Sequence, residues 1–302
     1  MSVDSSTVRP AGQVQAAPAA GWAPSEDVSL PLTVIESGAR RPLLDLRELW
    51  RYRDLLYFLT WRDIAVRYKQ TILGMLWAVL QPLLSMIVFS IFFGRLAGLD
   101  RATGGIPYPA FVYAGLLPWT LFSQSVARSS ESVVGSSALI TKVYFPRLYI
   151  PMAAVGACLV DFAIASAVLL GIMFWYGIAP TTGAALAPAL LALTAAAGLG
   201  VGALVSALNV AYRDFRHVVP FMLQLWMLAT PAIYARDILP GNWHWLTSLN
   251  PLNGLINGWR SCLLGGTQAW EELLVSAAAV LLAFAVGVAH FRRTERQFAD
   301  II

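Results

Sequence analysis

Asp161 is the one acidic residue in the middle of a long apolar run, and it is the first residue that suggests chemistry. A carboxylate in a membrane helix costs at least ~2.5–3.5 kcal/mol on insertion scales, so it has to pair, take up a proton or face water. A structural hydrogen bond and a functional, pore-facing role both meet that requirement. A proton-coupled carrier would hold several such acids, so a single one does not decide between them.

Motifs for ATP hydrolysis and for common hydrolytic reactions are missing from the sequence. It contains no Walker A pattern, no H-E-x-x-H and no nucleophile elbow. Gly198, Gly200 and Gly202 lie in an apolar run with no strand before them, which favours close packing of membrane helices over nucleotide binding. Cys158 and Cys262 lie in separate segments and give no metal-ligand spacing. We therefore predict a protein that is not an enzyme and has no metal or cofactor of its own.

The composition is that of a membrane protein. Of the 302 residues, 58% are hydrophobic and 13% are charged, whereas soluble domains carry about 25% charged residues. Too few polar side chains remain to cover a water-soluble domain of this length. We predict an all-α integral membrane protein with six transmembrane helices.

The six crossings follow from charge-free runs, because one crossing needs roughly 20 apolar residues. A run at 148–212, interrupted only by Asp161, is long enough for two crossings, and a turn at 176–183 divides it. Each of the other runs holds one crossing, and these runs are 71–94, 102–127, 218–235 and 273–291.

The basic residues fix the orientation, because Lys and Arg collect on the cytoplasmic side. If both termini are cytoplasmic, all 21 basic residues lie on that side except Arg95, Arg101, Arg236 and Arg260. This bias explains the net charge of +4 without nucleic acid. Residues 1–45 contain no apolar run and are rich in Ala, Pro, Ser and Gly, which is typical of a disordered cytoplasmic tail.

Segments between the runs have unusual compositions. In the region 46–72, a helix would place Tyr57, Trp61 and Tyr68 on one face, which indicates an amphipathic helix on the cytoplasmic membrane surface. Its polar face is either solvated or in contact with a partner. The loop 131–151 mixes aromatic and basic residues, which is typical of an interface or of a helix end at headgroup depth. Segment 250–260 is apolar but short, which suits a pair of re-entrant or interfacial helices on the outer face.

Several separate motifs resemble the permease subunit of type-2 ABC exporters for polysaccharides. They are W-R-D-I-A-V-R-Y-K-Q-T-I-L-G at 61–74, followed by Trp77 and Gln81-Pro82, then G-L-L-P-W at 115–119, K-V-Y-F-P-R at 142–147, Y-R-D at 212–214 and L-N-P at 249–251. The resemblance extends from residue 43 to the C-terminus. It is closest to O-antigen and lipopolysaccharide export, and capsule and teichoic acid exporters are similar.

The resemblance implies a division of the molecule into coupling, channel and gate regions within a six-helix domain at 73–302. The residues expected to couple to the ATPase are Arg62, Asp63, Arg67, Lys142, Tyr144, Phe145 and Arg147. Outer gate candidates are Asn250, Pro251, Asn253 and Arg260. Aromatic rings stack on sugars, so an aromatic pore could pass a glycan, although core packing stays the alternative for each ring; the channel-lining candidates are Trp77, Phe89, Trp119, Phe122 and Trp226.

The resemblance also implies the partners. Two copies of the chain would form a channel in the bacterial inner membrane, and two copies of a separate cytoplasmic ABC ATPase, holding ATP and Mg²⁺, would bind below. The substrate would be a lipid-linked polysaccharide of the O-antigen type. Two alternatives remain open: a type-2 exporter of a drug or small lipid, and an ATP-independent secondary carrier, which would show more intramembrane charge or inverted repeats.

Overall fold

The chain is helical in the part that the computed structural model describes, which is residues 50–69, 76–143, 145–234, 250–266 and 269–298. The all-α prediction is confirmed for these residues, and the predicted tail at 1–45 lies outside them. The α-helices are α1 (Arg53–Lys69), α2 (Leu76–Phe89), α3 (Tyr108–Gly135), α4 (Ser137–Lys142), α5 (Tyr149–Trp175), α6 (Ala187–Ala211), α7 (Phe215–Ala229), α8 (Asn253–Leu264) and α9 (Trp270–Thr294). A π-helical segment, Ser90–Leu96, continues α2, and 3-10 segments lie at Leu99–Ala102, Thr182–Leu186 and Glu295–Gln297.

Four described helices are long and apolar enough to cross a membrane by length and composition: Leu76–Leu96, Tyr149–Trp175, Thr182–Ala211 and Trp270–Gln297. They match the first, third, fourth and sixth predicted crossings. The other two predicted crossings correspond to α3 and α7, which are not among the four. The fifth predicted run continues to residue 235, where α7 has ended and the described residues stop.

Helix α3 lies at the centre of the bundle, where it packs against α5 and α6. Most of its side chains are buried, so they meet other helices rather than lipid. A helix covered in this way needs less hydrophobicity than one that faces the bilayer. The central position accounts for the lower hydropathy of α3, because few of its 28 residues are exposed.

The predicted turn within the longest apolar run is confirmed. Gly177 follows the end of α5 with a φ of +68°, a conformation that glycine adopts without a steric penalty. Its N–H donates to the carbonyl of Phe174, and the N–H of Ile178 donates to the carbonyl of Met173. This pair of hydrogen bonds is a Schellman motif, which ends α5 and lets α6 return through the bundle.

The glycines of α6 pack against neighbouring helices, as the sequence predicted. A Cβ on Gly198 would come within 2.5 Å of Cβ of Ser125, and one on Gly202 within 2.6 Å of Cβ of Ser129, both on α3. Gly200 faces the other way, against the backbone of Phe284 on α9. Helix α6 is thus held between α3 and α9 at distances that only small residues allow.

Helix α1 packs along the N-terminal half of α5. Its contacts occur in the same order along both helices: the ring of Tyr52 lies 6.1 Å from that of Tyr149, and Thr60 lies against Gly156. Leu59 is buried in a cluster with residues of α5 and α9. Of the face predicted to meet the membrane surface, Tyr57 and Trp61 remain exposed. Tyr68 does not, because its hydroxyl is directed into the bundle and donates to Asp161.

Candidate functional site

Asp161, on α5, is paired with two side chains at the C-terminal end of α1. Nη1 of Arg67 donates to Oδ2 of Asp161, and the hydroxyl of Tyr68 donates to Oδ1. Nη2 of Arg128, from α3, lies 3.9 Å from Oδ2. Of the outcomes open to Asp161 in the sequence, the structure shows pairing: α1 and α3 place charged or polar groups around the carboxylate of α5.

The hydroxyl of Tyr68 stays protonated and acts as a hydrogen-bond donor. Burial, together with the hydrogen bond to Asp161, raises the pKa of Tyr68 to about 12. The phenol therefore keeps its proton at every physiological pH. It can serve as a fixed donor to the carboxylate, which fixes the end of α1 against α5.

A cavity of about 190 Å³ adjoins this cluster. It lies between the end of α1, the start of α2, and the facing sides of α3 and α5. Polar and charged side chains contribute to a wall that is otherwise apolar; those described are Arg67, Tyr68, Gln81, Thr120, Gln124, Arg128 and Asp161. Trp77 lies at its edge and is half exposed, so the cavity reaches the surface of the chain beside α2.

The remaining predicted coupling residues of α1 form a local pair. Nη2 of Arg62 lies 2.8 Å from Oδ1 of Asp63, and both side chains are partly exposed. An ion pair of this kind contributes little to stability, about 0–1 kcal/mol. Arg62 and Asp63 are therefore available to a partner, whereas Arg67 on the same helix is directed into the bundle.

The loop after α3 divides into a buried and an exposed part. Phe145 is buried in the cluster with Leu59 and Phe291, and Nη1 of Arg147 donates to the carbonyl of Glu295 at the end of α9. Lys142 is exposed at the end of α4. Of this predicted coupling group, Lys142 thus lies on the surface, whereas Phe145 and Arg147 fix the loop to the bundle. Tyr144 lies outside the described residues.

The candidate channel aromatics divide in the same manner. Trp119 and Phe122 are buried, with ring centroids 5.8 Å apart, and Phe122 also packs against Trp226 at 5.1 Å. These three rings form part of the core of the chain. Trp77 is exposed, and Phe89 is partly buried beside Phe93.

The predicted outer gate residues are held in a hydrogen-bond network around α8. The side chain of Asn250 donates to Thr230 Oγ1 and accepts from Trp226 Nε1, at 2.7 and 3.2 Å. Asn253 accepts from Asn257 one turn later, and Pro251 is partly buried. One helix, α8, is present in the described part of the segment that was predicted to hold a pair.

Arg260 is buried without a carboxylate among its described partners. Its guanidinium donates to the carbonyls of Phe111, Pro231 and Ala232, and lies over the ring of Phe111 at 3.8 Å. Gly115 provides the space, because a Cβ there would come within 2.9 Å of Cζ of Arg260. Arg260 therefore joins α8, α3 and the chain after α7.

These features are those of a membrane protein with several candidate spans, in which the short helix α1 and the loop after α3 pack on a helical bundle. The chain belongs to the ABC-2 type transporter family, whose model matches residues 54–264. The resemblance seen in the sequence is thereby confirmed.

Named relatives agree with the family. The chain is 31% identical over 251 residues to the O-antigen export system permease protein RfbA of Klebsiella pneumoniae, covering 82% of this chain and 95% of that protein. It is 32% identical over 263 residues to the O-antigen export system permease protein RfbA of Myxococcus xanthus, covering 85% and 98%. Similarity to the polysialic acid transport protein KpsM of Escherichia coli covers 26% of this chain, at 31% identity.

Sequence reasoning missed the role of three polar residues in the cavity. From the sequence, Arg128 is predicted only as a basic residue on the cytoplasmic side, and neither Gln81 nor Gln124 is predicted to lie near it. A signal was present, because Arg128 ends the charge-free run at 102–127 and each glutamine lies in an otherwise apolar run.

Proposed function

We propose that this chain is the membrane subunit of an ATP-driven exporter that moves a lipid-linked polysaccharide of the O-antigen type outward across the bacterial inner membrane. The observation that carries this proposal is membership of the ABC-2 type transporter family, together with similarity to O-antigen export permeases over nearly their whole length. We take the substrate class from those relatives.

The proposal includes six crossings with both termini in the cytoplasm. The four candidate spans support it, and α3 and α7 supply the second and fifth crossings. Helix α3 is long enough for a 30 Å core and is shielded from lipid by its neighbours. Helix α8 would then be re-entrant from the outer face. It contains 12 residues, and it lies in the chain between the end of α7 and the start of α9, both of which would be at the outer face.

Two copies of the chain would form the pore. The candidate span Leu76–Leu96, which is α2 with its π-helical continuation, supports this, because 6% of its most apolar part is buried within the chain, against 50% for the span Thr182–Ala211. Its exposed side chains include Trp77, Leu84 and Phe92. A face this apolar has to meet lipid or another protein, and a second copy would bring two such helices together around the substrate.

A separate ATPase would drive the cycle. The sequence contains no Walker A pattern, so ATP and Mg²⁺ would be held by two copies of a cytoplasmic partner. The exposed part of the loop at α4, with Lys142, and the partly exposed pair Arg62 and Asp63 on α1 are the surfaces that we assign to that partner. Arg147 would act indirectly, because it fixes the same loop to α9.

Deletion of the gene is the test of this function in cells. Lipid-linked glycan is expected to accumulate on the cytoplasmic side, and surface glycan is expected to fall to background until the chain is supplied again. Unchanged surface glycan, in a strain without a second copy of the gene, would contradict the proposal. If resupply of the chain restored export of a drug or small lipid, and surface glycan was the same with and without the chain, the alternative substrate would be favoured.

Charge reversal at Lys142 is expected to weaken coupling without unfolding the subunit. The side chain is exposed, so Lys142→Glu should leave the melting temperature unchanged while lowering affinity for the partner ATPase about tenfold, or ~1.4 kcal/mol. Co-purification and ATPase activity of the complex measure the effect.

Two variants make this result specific. Arg95→Glu carries the same charge change at an exposed site on the outer side and should change neither quantity. Arg147→Glu should lower the melting temperature of the subunit alone, because it removes the hydrogen bond to Glu295. Equal partner affinity for Lys142→Glu and Arg95→Glu would remove Lys142 from the coupling surface.

A further inference from the structure

The cavity beside Asp161 carries an excess of positive charge. The charged residues in its described lining are Arg67, Arg128 and Asp161. Arg67 is hydrogen-bonded to Asp161, whereas the nearest nitrogen of Arg128 is 3.9 Å from that carboxylate, beyond hydrogen-bond length. One carboxylate thus faces two guanidinium groups, so the described lining has one positive charge in excess, and Arg128 is the more distant of the two arginines from Asp161.

Arg128 is oriented for a ligand by its neighbour on α3. Its Nε donates to Oε1 of Gln124, one helical turn earlier, at 3.1 Å, and this hydrogen bond restricts the orientation of the guanidinium group. The terminal nitrogens of an arginine present a planar fork of donors that matches a phosphate. The amides of Gln81 and Gln124, in the same wall, add neutral donors.

The cavity lies where lipid phosphates would be in the orientation proposed above. Helix α1 ends beside it, α2 begins beside it, and Arg128 closes the charge-free stretch 102–127 that includes most of α3. These limits correspond to the cytoplasmic edge of the hydrocarbon, where long basic side chains reach toward the headgroups. The volume of about 190 Å³ far exceeds the ~15 Å³ that a single water requires.

We propose that this cavity binds a phosphate group carried by a lipid, with Arg128 as its main ligand and Gln81 and Gln124 as neutral donors. Asp161 would limit the affinity by neutralising Arg67, so that the phosphate can leave again. Two lipids could supply the group: a phospholipid of the bilayer, or a polyprenyl diphosphate. The inference rests on the proposed orientation and does not depend on which molecule is exported.

Binding of matched lipid pairs to the purified full-length chain tests the site. The probes are dioleoylphosphatidylglycerol against dioleoylglycerol, and geranylgeranyl diphosphate against geranylgeraniol, measured by native mass spectrometry in a detergent without phosphate. A phosphate-dependent preference for the first pair assigns the site to bilayer phospholipid, and one for the second pair assigns it to a prenyl carrier. Equal binding with and without phosphate in both pairs overturns the proposal.

Three variants separate binding from folding. Arg128→Gln should weaken the phosphate probe about tenfold, since it removes a charged hydrogen-bond donor. Asp161→Asn should lower the melting temperature, because it breaks the pair with Arg67, but should tighten binding severalfold by removing the opposing charge. Arg213→Gln, an exposed site with the same charge change as Arg128→Gln, should leave binding unchanged.

Arg128→Gln and Asp161→Asn are expected to change phosphate binding in opposite directions, which makes the outcome decisive. A merely structural cluster would lose binding in both Arg128→Gln and Asp161→Asn, and that result would overturn the site. Equal weakening in Arg128→Gln and Arg213→Gln would show non-specific attraction and would also overturn it. If Arg128→Gln does not fold, Arg128→Lys keeps the charge without the planar fork and should still weaken binding severalfold. Glycan export is measured in the same strains, so failure of this site is distinguishable from failure of the proposed function.

Discussion

Replacement of Gly287 by valine is expected to prevent the chain from folding in the membrane. A Cβ at this position would come within 2.7 Å of the carbonyl carbon of Gly200 and still closer to its oxygen. Both atoms belong to helix backbones, so no side-chain rotation relieves the clash, and α6 and α9 would have to separate. Overpacking of this kind costs about 3 kcal/mol or more, and the loss extends along the whole contact between the two helices.

The measurement is the melting temperature and the yield of monodisperse protein in detergent. Gly171→Val is the matched control, because a Cβ at Gly171 meets no atom within 4 Å and the residue is exposed on α5. Gly200→Val should fail as Gly287→Val does. Equal yield and melting temperature for Gly287→Val and Gly171→Val would show that α6 and α9 do not pack at this contact.

Replacement of Arg260 by alanine is expected to release α8 from the bundle. The change removes the donors to the carbonyls of Phe111, Pro231 and Ala232 and leaves a cavity beside Gly115. Each unsatisfied buried carbonyl costs about 1 kcal/mol or more, so a total loss of about 3 kcal/mol is expected. Arg260→Lys should recover part of it, since an ammonium group can reach fewer of these acceptors.

Cysteine accessibility reports this release separately from global unfolding. Cys262, two residues after Arg260, is a buried free thiol and should react faster with a maleimide in Arg260→Ala. Arg95→Ala, at an exposed site, is the control and should change neither the labelling rate nor the melting temperature. Unchanged labelling of Cys262 in Arg260→Ala would contradict the role of Arg260 in holding α8.

The apolar helices, the turn at Gly177 and the packing glycines of α6 were predictable from the sequence, because each depends on residues that are close together in the chain. Long charge-free runs predict the four helices that are long and apolar enough to cross a membrane, because such runs have few other stable locations. The turn at Gly177 was found because glycine and proline interrupt the longest run. The glycines of α6 were assigned to helix packing because no strand preceded them.

The cavity and the anchor at α8 depend on contacts between distant residues, which a single sequence does not show. Asp161 lies 94 positions from Arg67, so the need for a partner was evident whereas its identity was not. From the sequence, Arg260 is expected to be an exposed charge in an outer segment. Its acceptors are backbone carbonyls, which every residue has, so residue types do not reveal them. Trp119 and Phe122 share the composition of pore aromatics, yet they are buried in the core.

Transport in inverted membrane vesicles is the most direct test of the central claim. The vesicles would contain this chain, its partner ATPase and the lipid-linked glycan, with the cytoplasmic face outward, and the glycan would be digested by an added glycosidase. Addition of ATP is expected to protect the glycan, because export carries it into the lumen, and vesicles without either subunit should show no protection. A glycan that stays equally digestible with and without ATP, or one that becomes protected without the ATPase, would contradict an ATP-driven export function.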